Sequence, residues 1–79
     1  MAPKYVIING CAIIFSGAIQ HKDMVGFNQK ATGAGFVNIY YDESKDMIVV
    51  KAYGRSISLG IESHDEDTDI LTHQITNNY

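Results

Sequence analysis

Cysteine is nearly absent from this chain of 79 residues. The single Cys11 excludes an internal disulfide framework, and no Cys/His spacing offers a structural zinc site. A reducing, cytoplasmic setting is therefore the simpler expectation. Long apolar runs are missing as well. The longest, Cys11 to Phe15, is far too short to cross a bilayer, so no membrane partner is expected. Nor is there an excess of basic residues: the net charge of −3 argues against nucleic acid as a partner and is too small for a nucleic-acid mimic. Repeats, low-complexity tracts and linkers are lacking too, so residues 1–79 read as one domain. A hydrophobic content of 46% with 19% charged residues places that domain among folded globular chains rather than disordered ones.

The stretch Phe36 to Ile61 organises the rest. Asp42-Glu43-Ser44-Lys45 reads as a four-residue hairpin loop, pairing Tyr41 with Asp46, Ile39 with Ile48 and Val37 with Val50. Gly54-Arg55 fits a two-residue II′ turn, pairing Val50 with Leu59 and Ile48 with Ile61. Val37, Ile39, Ile48, Val50, Ala52, Ile57, Leu59 and Ile61 then share one apolar face of a three-stranded meander. The opposite face mixes Phe36, Tyr40, Met47, Lys51, Tyr53, Ser56 and Ser58, a composition suited to intermittent contact with a partner.

Upstream, Tyr5-Val6-Ile7-Ile8 and Cys11-Ala12-Ile13-Ile14-Phe15 flank Asn9-Gly10, a strong hairpin signature. Lys4, this apolar stretch and Ser16-Gly17-Ala18 also imitate a signal peptide, but Asn9-Gly10 interrupts the helical core that one needs. Both faces of the hairpin are apolar, with Val6, Ile8, Ile13 and Phe15 on one and Tyr5, Ile7 and Ile14 on the other. The second face needs cover, from the protein's own loop or from another copy, and a homo-oligomer is the leading expectation.

Residues 16–35 read as a long, glycine-containing connection with one helical turn over Gln20 to Val25, and Met24, Val25 and Phe27 pinned to the core. From Ser63 onward a helix is expected over about His64 to Thr76. Ser63 and Glu66 make a capping box, acidic residues fill the first turn, and Ile70, Leu71 and Ile75 form the apolar stripe. The end, Asn77-Asn78-Tyr79, is expected to fray. The fold class is thus α+β: an antiparallel sheet of about five strands, from the hairpin 4–15 and the meander 36–61, with one C-terminal helix on its apolar face.

Chemical motifs are sparse. Asp65-Glu66-Asp67-Thr68-Asp69 opens like a calcium loop, but Ile70 and Thr76 stand where Gly and Glu are required, so no metal site is assigned. Gly54-Arg55-Ser56-Ile57-Ser58 lacks the last glycine of a nucleophile elbow, and Ser56 and Ser58 read as solvent-facing strand positions. His64 and His73 do not share the four-residue spacing of metal ligands. His21, beside Lys22 and Asp23, is the one candidate acid or base. Lys30-Ala31-Thr32-Gly33-Ala34-Gly35 has the small residues, cation and hydroxyl of a phosphate cradle, without the spacing of a P-loop.

Tyr53-Gly54-Arg55-Ser56-Ile57-Ser58-Leu59-Gly60-Ile61, with Ser63 and Glu66-Asp67, resembles small uncharacterised proteins of tailed bacteriophages over the C-terminal third. That resemblance implies an accessory protein of the host cytoplasm that blocks a host protein or sequesters a signalling nucleotide. The leading expectation is a non-enzymatic, homo-oligomeric binding protein without cofactor. Its contact residues are drawn from His21, Lys22, Asn28, Lys30, Thr32, Tyr40, Lys51, Tyr53 and Arg55. The rivals are a sequestrant of a small phosphorylated ligand, held by Lys22, Lys30, Thr32 and Arg55, and a minimal enzyme using His21.

Overall fold

A computed structural model describes residues 1–77; of the end expected to fray, Asn77 belongs instead to the C-terminal helix, its side chain donating to the His73 carbonyl, and Asn78 and Tyr79 lie outside the described residues. Strands β1 (Lys4–Ile8) and β2 (Cys11–Phe15) form the N-terminal hairpin, and a 3-10 turn spans His21–Met24. Strands β3 (Ala31–Asp42) and β4 (Met47–Tyr53) follow, then two short strands, β5 (Arg55–Ser56) and β6 (Ile61–Glu62), and helix α1 (Asp65–Asn77). The main antiparallel sheet has the order β2-β1-β3-β4, and β5 with β6 makes a separate two-stranded ladder. The class is α+β, but the sheet has four strands rather than five.

The N-terminal hairpin has the expected register throughout, from Ile8 opposite Cys11 to Tyr5 opposite Ile14. Asn9 (φ 53°) and Gly10 (φ 76°) supply the two left-handed positions that its tight turn needs. The β3–β4 hairpin keeps a four-residue loop, but one residue later than expected. Asp42 faces Met47, and Val50 faces Ile39 rather than Val37. Asp42 belongs to the strand end because its carboxylate accepts from the Ser44 amide (3.0 Å) and hydroxyl (2.6 Å), and the hydroxyl bond holds its acidity above the ordinary level. Asp46 closes the loop at φ 48°. The resulting slip is two residues, an even number, so every side chain keeps its face.

The third meander strand does not form. The Ser56 side chain instead accepts from the Leu59 amide (3.1 Å), and the Gly60 amide bonds the Ser56 carbonyl (2.9 Å). These local bonds curl residues 57–60 into a turn that ends at Gly60 (φ 67°), a conformation that competes with a strand. Ser56 is consequently buried, not solvent-facing, and Ile57 is exposed. Ile39 and Ile48, expected in the core, are also exposed, on the part of the hairpin that runs past the helix. The connection after β2 is shorter than expected, because residues 31–35 are strand paired with β1.

Helix α1 covers the face carrying Tyr5, Ile7, Val37 and Val50, with Leu71 fully buried against them and Ile70 and Ile75 at the margin. Burying one such leucine stabilises the fold by roughly 1.5–3 kcal/mol. The other face of β1 and β3 buries Val6, Ile8, Phe15, Ala31 and Ala34 under Met24, Val25, Leu59 and Ile61. The protein's own segments thus cover both faces of β1. Phe27, expected in the core, is fully exposed.

The helix is anchored by a polar contact inside the core. The Tyr5 hydroxyl donates to Asp67 Oδ2 at 2.6 Å, and the same oxygen accepts from the His64 amide at 3.1 Å. Asp67 thus supplies the returning half of a cap at His64, one residue beyond the expected Ser63 and Glu66, while its own amide bonds the His64 carbonyl at 2.9 Å. Ser63 is spent elsewhere, its hydroxyl donating to the Gly54 carbonyl at 2.8 Å. Asp67 lies directly over Gly33, where any Cβ would overlap its carboxylate. Gly33→Ala is expected to cost about 1–3 kcal/mol by overpacking, read from urea unfolding.

Burial pushes the Tyr5 hydroxyl well above its ordinary titration range, and the bond and charge of Asp67 push it further. A folded-state value above the unfolded one means that the contribution is complete below pH ~10 and is lost as pH rises beyond it. Wild-type stability is therefore expected to fall between pH ~9 and ~11 more steeply than that of Tyr5→Phe, which at neutral pH is weaker by about 1–3 kcal/mol. Parallel pH slopes for the two proteins would count against this anchor.

Candidate functional site

Four residues stand in one line across the main sheet: Phe15 on β2, Lys4 on β1, Phe36 on β3 and Tyr53 on β4. Neighbours on such a line share a face, so the row presents aromatic, cation, aromatic, aromatic on the side away from α1. Phe36 stacks on Tyr53 with centroids 5.7 Å apart and planes 27° apart. Lys4 Nζ lies 6.0 Å from the Phe36 centroid and donates to the Ile19 carbonyl at 2.9 Å.

The 3-10 turn lays His21 over this row. Its ring meets Phe15 and Phe36 edge-on, with centroids at 5.5 and 6.0 Å. His21 is only 4% exposed, and its Nε2 lies 2.8 Å from the Gly35 carbonyl. A carbonyl only accepts, so Nε2 carries hydrogen, and in the neutral ring Nδ1 is left as an acceptor. Nδ1 has no partner among the described residues, and since no fully buried side-chain polar atom among them lacks one, Nδ1 is not completely enclosed.

A cleft of about 530 Å³ is walled by Lys4 and Phe36 from the row, Gln20 and His21 from the 3-10 segment, and Gly54, Arg55, Ile57 and Ser58 from the turn. Ser58 Oγ accepts from the Lys22 amide at 3.2 Å, which ties the two walls together. Ile57 stands at the rim, 85% exposed. The volume falls in the ordinary range for small-molecule sites.

Of the residues singled out from sequence, the structure brings His21 and Arg55 into the cleft and sets Tyr53 behind its Phe36 wall. Lys22 supplies a backbone bond at the edge while its side chain is exposed. Tyr40 and Lys51 share the face but lie out along the β3–β4 hairpin. Tyr40 is four residues from Phe36, about 13 Å along the strand. Asn28 and Lys30 are exposed in the loop, and Thr32 is in β3 near the Ile8 end of β1, a similar distance from Phe36 in the other direction. Lys30-Ala31-Thr32-Gly33-Ala34-Gly35 is therefore no cradle; its small residues let β3 pass beneath Asp67 and beside Tyr5. Lys30 and Thr32 do not meet Arg55.

Sequence reading missed Lys4, Gln20 and the bend at 57–58. The one usable signal was Lys4, a lone cation leading an apolar strand. No family model, curated protein or solved structure matches this chain.

His21→Ala is expected to cost about 2–4 kcal/mol in urea unfolding, through lost ring packing and an unpaired Gly35 carbonyl. Lys30→Ala and Thr32→Ala should stay within about 0.5 kcal/mol of wild type. Similar losses at all three positions would remove His21 from its structural role.

Proposed function

We propose that the chain is a non-enzymatic binding protein that works as a homodimer joined through the β3–β4 hairpin. The observation that carries this is the arm beyond Phe36. There β1 has ended and β3 pairs with β4 alone. Ile39, Tyr40, Tyr41, Met47 and Ile48 on this arm are each between 43% and 56% exposed, and they stand on both of its faces. A two-stranded ribbon with apolar groups on both sides is marginal without a partner.

The state of the edges favours a second copy at β4. On β2, Gln74 takes both outward groups of Ala12, its Oε1 accepting the amide (2.5 Å) and its Nε2 donating to the carbonyl (3.0 Å). That closes the edge at Ala12, while Ile14 carries the other outward amide and carbonyl of β2. On β4, Thr68 accepts the outward amide of Ala52 at 3.0 Å. By strand alternation the amide and carbonyl of Ile48, 43% exposed, point outward too, without partners among the described residues, whereas Val50 is buried under the helix. Antiparallel pairing of two β4 edges about a two-fold axis at Ile48 would set that residue against its counterpart in the other copy, a self-complementary contact.

His21 supports the non-enzymatic reading: Nε2 is spent on a backbone carbonyl, and the ring is wedged between phenylalanines with no carboxylate of the described residues orienting it. Action on a host component, as the phage resemblance implies, fits a dimer that offers two copies of the cleft.

Light scattering of the pure protein should give twice the 8.7 kDa chain mass. Of the backbone groups, Ile48→Pro removes only an amide that the monomer leaves free, and the side chain it replaces is half-exposed, so it should give a folded monomer. A wild-type monomer, or an Ile48→Pro protein that stays dimeric, overturns the proposal.

A further inference from the structure

We infer that the cleft beside Phe36 is a binding site for a small aromatic anion, a planar ring carrying one carboxylate or phosphate. This goes beyond the dimer and does not depend on it, since the cleft lies on the body of the fold and the arm on the far side of Phe36.

Charge segregation is the first argument. The chain has nine acidic residues against six basic ones, yet the cleft lining holds Lys4 and Arg55 and no carboxylate. Random placement would put acids there more often than bases. The second argument is the apolar wall. Phe36 offers an aromatic surface already steadied by Tyr53 and His21, and Ile57 stands exposed at the mouth, where a bound ring would cover it. Planar ligands gain from such stacking because ring edges and faces carry opposite partial charge.

The third argument is the unpartnered nitrogen. His21 is 4% exposed, fixed through Nε2 and part of the cleft lining, and in the neutral ring its Nδ1 is an acceptor without a partner among the described residues. A ring N–H or O–H would satisfy it, while Gln20 and Ser58 offer further polar contacts. The ammonium of Lys4 keeps donors beyond the one used on Ile19, and Arg55, opposite Glu62 across the β5–β6 ladder, is exposed with no side-chain bond among the described residues. Together the two cations match one anionic group at the mouth. The ring goes to Phe36, the charge to Lys4 and Arg55, and a polar edge to His21.

Calorimetric titrations of the intact protein with two pairs of probes test this. 2-Naphthoate is compared with 2-naphthylmethanol, and adenosine monophosphate with adenosine. At least one anion should bind with a Kd below millimolar, about tenfold or more tighter than its neutral counterpart. Binding of naphthoate alone assigns a carboxylate ligand, and of the nucleotide alone a phosphate. Arg55→Gln, at an exposed position whose side chain makes no hydrogen bond to the described residues, should weaken that binding about tenfold with unchanged circular dichroism. Loss of the His21 ring signal shift on titration, followed by NMR, would place the probe elsewhere and overturn the assignment. So would equal binding of neutral and charged probes, binding unchanged in Arg55→Gln, or no binding of either anion at millimolar concentration. Because light scattering reads the dimer separately, the two proposals fail independently.

Discussion

One buried hydrogen bond, from the Tyr5 hydroxyl to the Asp67 carboxylate, sets where the helix meets the sheet. Tyr5 sits in the central strand and Asp67 in the first turn of α1, so the bond joins residues 62 positions apart. Leaving either group unpaired in a fully buried place costs more than the bond itself contributes, which makes the contact a strong selector of one docking geometry. That geometry demands glycine at 33, and it uses Asp67 to cap the helix that carries it. One side chain thus links strand, helix start and strand crossing.

Once docked, the same helix manages both outer strands of the sheet. Thr68 near its start takes the outward amide of Ala52 on β4, and Gln74 near its end takes both outward groups of Ala12 on β2. Six residues of helix rise about 9 Å, and side-chain reach spans the remaining width of a four-stranded sheet. Edge strands invite pairing with other chains, and a side-chain amide seated on the backbone is one way to prevent it. The device covers β2 at Ala12 and β4 at Ala52, its inner end. The outer part of β4 and the apolar arm around it stay open, which concentrates the capacity for association in one place.

The opposite face has a different origin. Its cleft depends on the row Phe15, Lys4, Phe36 and Tyr53, whose members come from four strands and meet only because β1 inserts between β2 and β3. Over that row the 3-10 turn and the 54–58 turn supply walls from two further segments. Rigid strands hold the aromatic floor and short turns carry the polar rim, the usual division of labour in binding sites.

Local signals in the chain determined the pieces. Asn9-Gly10 admits one hairpin turn, and its register followed without error because the two positive φ angles leave no alternative. The helix limits and its buried Leu71 were legible from acidic first-turn residues and a 3.6-residue period. The apolar and mixed faces of β3 and β4 survived a misplaced loop, since a period of two is blind to a slip of two. Tertiary structure decided the rest. The fate of residues 56–61 turned on a buried Ser56 hydroxyl that bonds its own backbone, whereas alternation alone reads that segment as a strand. Strand order, the pairing of Tyr5 with Asp67 and the gathering of Lys4, His21 and Arg55 into one cleft join distant segments. Short-range pattern carries no term for such meetings, because they are settled by which packing leaves the fewest buried groups unpaired.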